Sequence, residues 1–167
     1  IFGEVGLVSG RRRGSTIRSI DDTIVVEIPR NAALKLMASV PGVKRAVTRI
    51  STERQLLQMW QSGLQPADIA EVIETAEIKP VRAGEVVFRE GEEGNDVYVI
   101  RSGSMVVEKS IGGKPVFLSY VPAGNYVGEL ELFDNGIRKQ TVRAAVKSEV
   151  IKLDGASFKR LLEAKPQ

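Results

Sequence analysis

The sequence has no cysteine and no histidine among its 167 residues. The first absence excludes a disulfide framework and a thiol nucleophile, the second excludes imidazole bases, and together they remove nearly every zinc site. Most hydrolytic chemistry goes with them. Charge of one sign is not in excess either: 24 Lys+Arg against 21 Asp+Glu gives +3, and Arg11-Arg12-Arg13 is the only concentrated basic run. Charge alone therefore makes no case for nucleic acid or a membrane surface. No apolar run approaches the roughly 20 residues of a membrane span. The N-terminus lacks the charged-then-apolar layout of a signal peptide, so a cytoplasmic setting is expected. The chain opens at Ile1 in the middle of a motif, and a fragment of a longer protein is expected. With 43% hydrophobic residues, it is long enough for one well-buried core plus a partial second unit, but not for two full-sized domains.

What is present is a repeat. Phe2–Pro41 lies over Val127–Pro166 without a gap, at a constant offset of 128 − 3 = 125 residues. Gly3 then matches Gly128, Glu4 matches Glu129, Leu7 matches Leu132, Arg13 matches Arg138, and Thr16 matches Thr141. Solenoid units repeat every 20 to 50 residues or so, and a period this long indicates duplicated domains. After the matched Arg, each copy carries two short runs of alternating apolar residues that read as strands: Ser15–Ile20 with Thr23–Ile28, and Thr141–Ala145 with Glu149–Leu153. Each copy then turns helical. Asn31 caps a helix over 32–39, Pro41-Gly42 interrupts, and a longer helix from about Val43 to Gln61 stops at Gly63. Pro66 opens another helix, to about Thr75. From Val81 the pattern changes to short β-rich runs at 86–88, 97–100, 105–107 and 116–118 between glycines. That is the signature of a compact antiparallel barrel or jelly roll, mainly β with flanking α-helices.

The repeated core is Gly-Glu-(apolar)-x-Leu followed by an Arg nine residues after the Glu, in both copies. A short helical turn after the Gly presents free backbone N–H groups to an anion, and a guanidinium from the end of the loop can fork onto two phosphate oxygens. A carboxylate beside that cradle repels phosphate but accepts a hydrogen bond from a sugar hydroxyl. Phosphate plus ribose means a nucleotide.

Phe2-Gly3-Glu4-Val5-Gly6-Leu7 with Arg13-Gly14-Ser15-Thr16 resembles the phosphate-binding cassette of cyclic-nucleotide-binding domains, found in regulatory subunits of cyclic AMP-dependent protein kinase, catabolite activator proteins and gated channels. The second copy resembles the family over a longer stretch, through Gly84, Val87, Gly91, Gly94, Tyr98, Ile100 and Gly103 upstream of its cassette. The resemblance covers essentially the whole chain. It implies a jelly-roll barrel of the cyclic-nucleotide-binding fold: residues 1–30 as the cassette and last strands of a first barrel, 31–78 as a helical connector, and 79–167 as a second domain whose lid helix is truncated. It also implies that Glu4 and Glu129 bind the ribose 2′-hydroxyl while Arg13 and Arg138 bind the exocyclic phosphate oxygens. The ligand-binding sets are Gly3, Glu4, Val5, Gly6, Arg13, Gly14 and Ser15, and Gly128, Glu129, Leu130, Glu131, Arg138, Lys139 and Gln140. No metal or other cofactor is implied.

The two cassettes differ where the family keeps small residues. The first retains Gly6 and Gly14-Ser15, whereas the second has Glu131 and Lys139-Gln140. A carboxylate there repels phosphate and Lys139 attracts it, so the second site is expected to be weak or altered in preference, with the balance left open. Residues after the Arg favour cyclic AMP over cyclic GMP, since relatives selective for the guanine ligand often carry Thr where this chain has Gly14 and Lys139. Trp60 is a helix-packing residue or a base-stacking one, the former favoured. Arg12-Arg13-Gly14-Ser15 also matches a basic-directed phosphorylation site, a reading that loses force if Arg13 is committed to a pocket.

The implied protein is a receptor without chemistry of its own, whose hinge helices pass ligand binding to an effector domain or subunit. It involves neither a membrane nor, through this fragment, nucleic acid, and the incomplete N-terminal barrel leaves a homodimer open. Competing readings are a cupin-like enzyme, which would need His ligands, and a transcription-factor sensor of the catabolite-activator type, which would need a helix-turn-helix. A degenerate interaction domain in a larger enzyme is the third.

Overall fold

Eight strands between Glu77 and Leu153 pair antiparallel into two four-stranded sheets. They are β1 (Glu77–Val81), β2 (Val86–Phe88), β3 (Val97–Ser102), β4 (Ser104–Ile111), β5 (Lys114–Pro122), β6 (Tyr126–Val127), β7 (Thr141–Ala144) and β8 (Ser148–Leu153). One sheet has the order β1-β8-β3-β6 and the other β2-β7-β4-β5, the crossed arrangement of a jelly roll. The computed structural model describes residues 1–10, 12, 15–59 and 64–164. It divides into two units, Ile1–Arg54 and Gln55–Gln167.

The period-2 pattern assigns each strand residue to a face, and the two faces of the first sheet bury different partners. Ile100 and Val150 turn inward, and with Phe88, Met105, Val107 and Val142 they fill the space between the sheets. Their neighbours Val99 and Ile151 turn outward beneath helices α4 (Ala70–Glu74) and α5 (Gly155–Ala164), where Ile69, Val72 and Phe158 close over them. Phe158 is fully buried, a contribution of roughly 2–3 kcal/mol from its area. Asp154 starts α5: its Oδ2 accepts the Ser157 N–H at 2.8 Å. The helix can begin there because Gly155 has no side chain; a Cβ would lie 1.8 Å from the Asn95 carbonyl oxygen.

This second unit reaches further back than the expected boundary at residue 79. Leu56, Leu64 and Ile69 belong to its core, so the later part of the expected connector packs on the barrel. Strand β1 begins at Glu77 and pairs with β8 from Glu77↔Lys152 to Val81↔Ser148. The anticipated helix from Pro66 is shorter, Ala70–Glu74, following a turn that the Asp68 carboxylate closes by accepting the Gln65 N–H at 2.8 Å.

In the first unit, α1 (Glu4–Ser9) follows Gly3, and α2 (Arg30–Ser39) and α3 (Pro41–Met59) are separated by extended Val40. Asn31 Oδ1 accepts the Ala32 N–H at 2.8 Å, although α2 itself starts one residue before Asn31. Pro41 opens α3 rather than interrupting it, since the first turn has no use for the missing N–H. Trp60 and Gly63 lie outside the described residues. The strands expected at Ser15–Ile20 and Thr23–Ile28 are not formed: no described residue from 15 to 29 joins a ladder. Ile20 and Ile24 are 98% and 99% exposed. Alternation specifies which face a strand would bury, but a ladder needs a neighbouring chain segment, and no described residue supplies one. The period of the repeat is nonetheless visible beyond these runs. Helices α2 and α5 each have 10 residues and start 155 − 30 = 125 positions apart. Gly3 and Gly128 share the left-handed conformation, with φ of 86° and 90°.

Candidate ligand-binding site

Between β6 and β7 the chain makes a long loop, Gly128 to Gln140, against the rim of the barrel. Its first residue must be glycine: at φ 90° a side chain is strained, and a Cβ would meet Arg138 Nη1 and the Asp96 carbonyl oxygen at 2.8 Å each. Its last part is anchored by backbone. The Arg138 N–H donates to the Glu92 carbonyl and the Arg138 carbonyl accepts from the Gly91 N–H, both at 2.8 Å. Gly94 lies so close to the guanidinium that a Cβ there would sit 3.1 Å from Arg138 Nε. The upstream glycines thus shape the seat of the arginine.

Arg138 is 3% exposed. Its guanidinium lies 4.2 Å over the Phe88 ring, and Phe88 packs on Tyr98 with ring centroids 5.7 Å apart. Nη2 donates to the Asp96 carbonyl at 2.8 Å; Nη1 donates to the Gly128 carbonyl and to Glu131 Oε2, each at 3.2 Å. Glu131 is 2% exposed, and its other oxygen, Oε1, accepts the Lys139 N–H at 2.9 Å. The Lys139 side chain turns away, its Nζ 2.5 Å from Asp134 Oδ2. Of the two opposing charges that the sequence placed here, only the carboxylate enters the loop's interior.

A cleft of about 250 Å³ opens beside this loop, lined by Glu129, Leu130, Glu131 and Gln140 from the loop and by Phe88 and Tyr126 among the barrel residues. The volume is near the lower end for small-ligand sites. Burial pushes the Glu129 carboxyl above the usual carboxylate range, and the neighbouring Glu131 charge adds to the effect. Burial also raises the Tyr126 phenol, with Glu129 reinforcing the shift. Of the expected second set, Gly128, Glu129, Leu130, Glu131 and Gln140 line the cleft, while Arg138 is buried against Glu131 and is not part of the cleft wall. Leu130 is 46% exposed at the mouth, and Lys139 takes part through its backbone N–H. Phe88, Tyr98 and the Asp96 carbonyl were missed, because nothing in the spacing of a strand residue shows that its ring lies under a guanidinium fifty positions later.

The first set is described only in part, since Arg13 and Gly14 lie outside the described residues and Ser15 is exposed. Gly3 O accepts the Leu7 N–H at 3.1 Å and Gly6 O accepts the Gly10 N–H at 3.1 Å, holding the turn that carries Val5. Glu4 is 2% exposed; its Oε1 accepts from Arg54 Nη1 at 2.8 Å. Its Oε2 is buried without a hydrogen-bond partner among the described residues. Such an acceptor costs free energy until a donor reaches it.

A jelly roll with one long loop that buries an arginine paired with a carboxylate beside a cleft has the architecture of a barrel that can hold a small ligand at that loop. Comparison with known proteins makes this particular. The cyclic nucleotide-binding domain family matches residues 78–165. The regulatory subunit of cAMP-dependent protein kinase from Mucor circinelloides f. lusitanicus is 30% identical over 162 residues, covering 96% of this chain and 37% of the relative. The corresponding subunit from Blastocladiella emersonii is 27% identical, covering 96% and 40%. The solved regulatory domain of Toxoplasma gondii PKA, co-crystallised with cAMP, matches at TM-score 0.65 and 26% identity, over 98% of this chain and 62% of that one. This chain belongs to the cyclic nucleotide-binding domain family. It spans about two-fifths or less of the length of these curated relatives. No described helix is long and apolar enough to cross a membrane.

Proposed function

We propose that the chain is a cyclic-nucleotide-responsive regulatory module of a longer cytoplasmic protein, without catalytic activity, and that its cleft takes cyclic AMP in preference to cyclic GMP. The observation that carries this reading is one loop that lines a cleft with Glu129, a partly desolvated acceptor for the ribose hydroxyl, and with Glu131, whose carboxylate holds the buried Arg138 guanidinium proposed for the cyclic phosphate. The cassette around Glu4 is a second site of the same kind, in which the buried Oε2 awaits a hydroxyl donor. Residues 1–30 then belong to a preceding barrel of a tandem pair, completed by segments of the parent protein or by a second copy of the chain. By analogy with the kinase regulatory subunits it resembles, ligand binding passes through the helices between the cassettes to an effector such as a protein kinase.

Calorimetric titration of the chain with cyclic AMP and cyclic GMP tests this, in a Glu4→Ala background so that heat reports the complete barrel alone. Saturable binding that is tighter for cyclic AMP and weakened at least about tenfold by Glu129→Ala is expected. Absence of binding to either nucleotide by a folded protein, whether or not Glu131 is replaced, would falsify the proposal.

A further inference from the structure

We infer that Glu131 is a built-in phosphate surrogate: its carboxylate occupies the anion cradle of the complete barrel, and a cyclic nucleotide must displace it to bind. This rests on the cleft being a cyclic-nucleotide site and specifies what sets its affinity. A phosphate held by such a loop needs a guanidinium and backbone N–H groups. Glu131 takes both kinds of donor at once, Oε2 from Arg138 Nη1 at 3.2 Å and Oε1 from the Lys139 N–H at 2.9 Å. Its side chain and that of Arg138 are each 2% exposed, so the pair is sealed from solvent. The remaining guanidinium donors in contact with protein are also turned inward, to the Gly128 and Asp96 carbonyls.

The electrostatic consequence follows from counting charges. Arg138 and Glu131 cancel, and Glu129, when ionised, leaves the cradle negative. A cyclic phosphate carrying one negative charge gains nothing on entering unless the carboxylate leaves. Lys139 does not restore the balance, because its ammonium is engaged by Asp134 on the outside of the loop. Departure of Glu131 is costly as well, since its neighbour Leu132 is built into the core between the first sheet and helices α4 and α5 and anchors the loop there. The cassette is therefore held in the arrangement that an anion imposes, with the anion supplied by the chain itself, and the occupied geometry exists before any ligand arrives.

The test compares cyclic AMP affinity of the Glu4→Ala chain with and without Glu131→Ala, by calorimetry. Tightening by about 10- to 100-fold on removing the carboxylate is expected, the worth of one charge-assisted contact freed for the phosphate. Glu131→Gln keeps the side-chain volume and one acceptor oxygen while removing the charge, so it should fold even if the alanine variant does not, and should give an intermediate gain. A second readout is thermal: cyclic AMP, and inorganic phosphate at higher concentration, should raise the melting temperature of Glu131→Ala more than that of the unsubstituted chain. Equal cyclic AMP affinities with and without Glu131 overturn the inference while leaving the site's function intact. Folded variants that bind no cyclic nucleotide overturn the underlying functional reading, and this inference with it.

Discussion

Arg138→Ala is the substitution whose cost the structure specifies most fully. Removing the guanidinium leaves the Glu131 carboxylate buried with the Lys139 N–H as its one partner among the described residues, and frees the Asp96 and Gly128 carbonyls from it. Breaking a buried pair from one side costs about 3–5 kcal/mol, most of it the penalty on the charge left behind. Loss of the stack on Phe88 adds to this, by about 0.5–2 kcal/mol. In a unit of this size, each kcal/mol lowers the melting temperature by about 4 °C, so the combined loss predicts a fall of about 14–28 °C. Glu131→Ala should cost less, since the guanidinium keeps two carbonyls and an aromatic face. The double variant should recover part of the loss, with a coupling of about 1–3 kcal/mol in a thermodynamic cycle. Urea denaturation followed by far-ultraviolet circular dichroism measures all three. A loss under about 1 kcal/mol for Arg138→Ala, or strict additivity of the two single variants, would refute the claim that the charges hold each other in the cradle.

Other outcomes follow from the same structure. Because burial raises the Glu129 carboxyl in the native state, its contribution to stability is full below the unfolded pKa and declines as pH rises through the raised native value; Glu129→Gln should flatten that part of a stability–pH curve. Asp154 is held below the usual carboxylate range by the Ser157 N–H and hydroxyl, so its contribution is present above the unfolded pKa and lost as pH falls through the lower native one. Asp154→Ala should cost about 1 kcal/mol at neutral pH, read by chemical denaturation. Gly155→Ala drives a methyl into the Asn95 carbonyl and against Leu132 and should destabilise by about 3 kcal/mol or more, seen as a lowered urea midpoint.

Much of the barrel could be read from residue order because glycine turns and alternating apolar residues coincide. Val86–Phe88, the start of β3 and the runs forming β7 and β8 all fell where the pattern placed them. Strand β1 escaped because Glu77, Lys79 and Pro80 give no run of apolar residues to signal a strand; it is an edge strand, where proline is tolerated and one side of the ladder is left unpaired. Residues 15–28 erred the other way: their alternation is strand-like, yet pairing depends on a partner and not on the segment itself. For the loop, the residue types pointed to a phosphate cradle, but the sign of the Glu131 effect depends on where two side chains go. Seven positions apart in irregular backbone, Glu131 and Arg138 have no periodicity to bring them together. Only the fold shows that the carboxylate turns in and the Lys139 ammonium turns out.

Amide chemical-shift mapping of the Glu131→Ala chain with cyclic AMP tests most directly whether this loop receives the cyclic phosphate. The account predicts saturable shifts concentrated at Gly128, Leu130, Lys139 and Gln140, abolished by adding Arg138→Lys. Shifts confined to other parts of the barrel, or loop amides unmoved at saturating ligand, would contradict it.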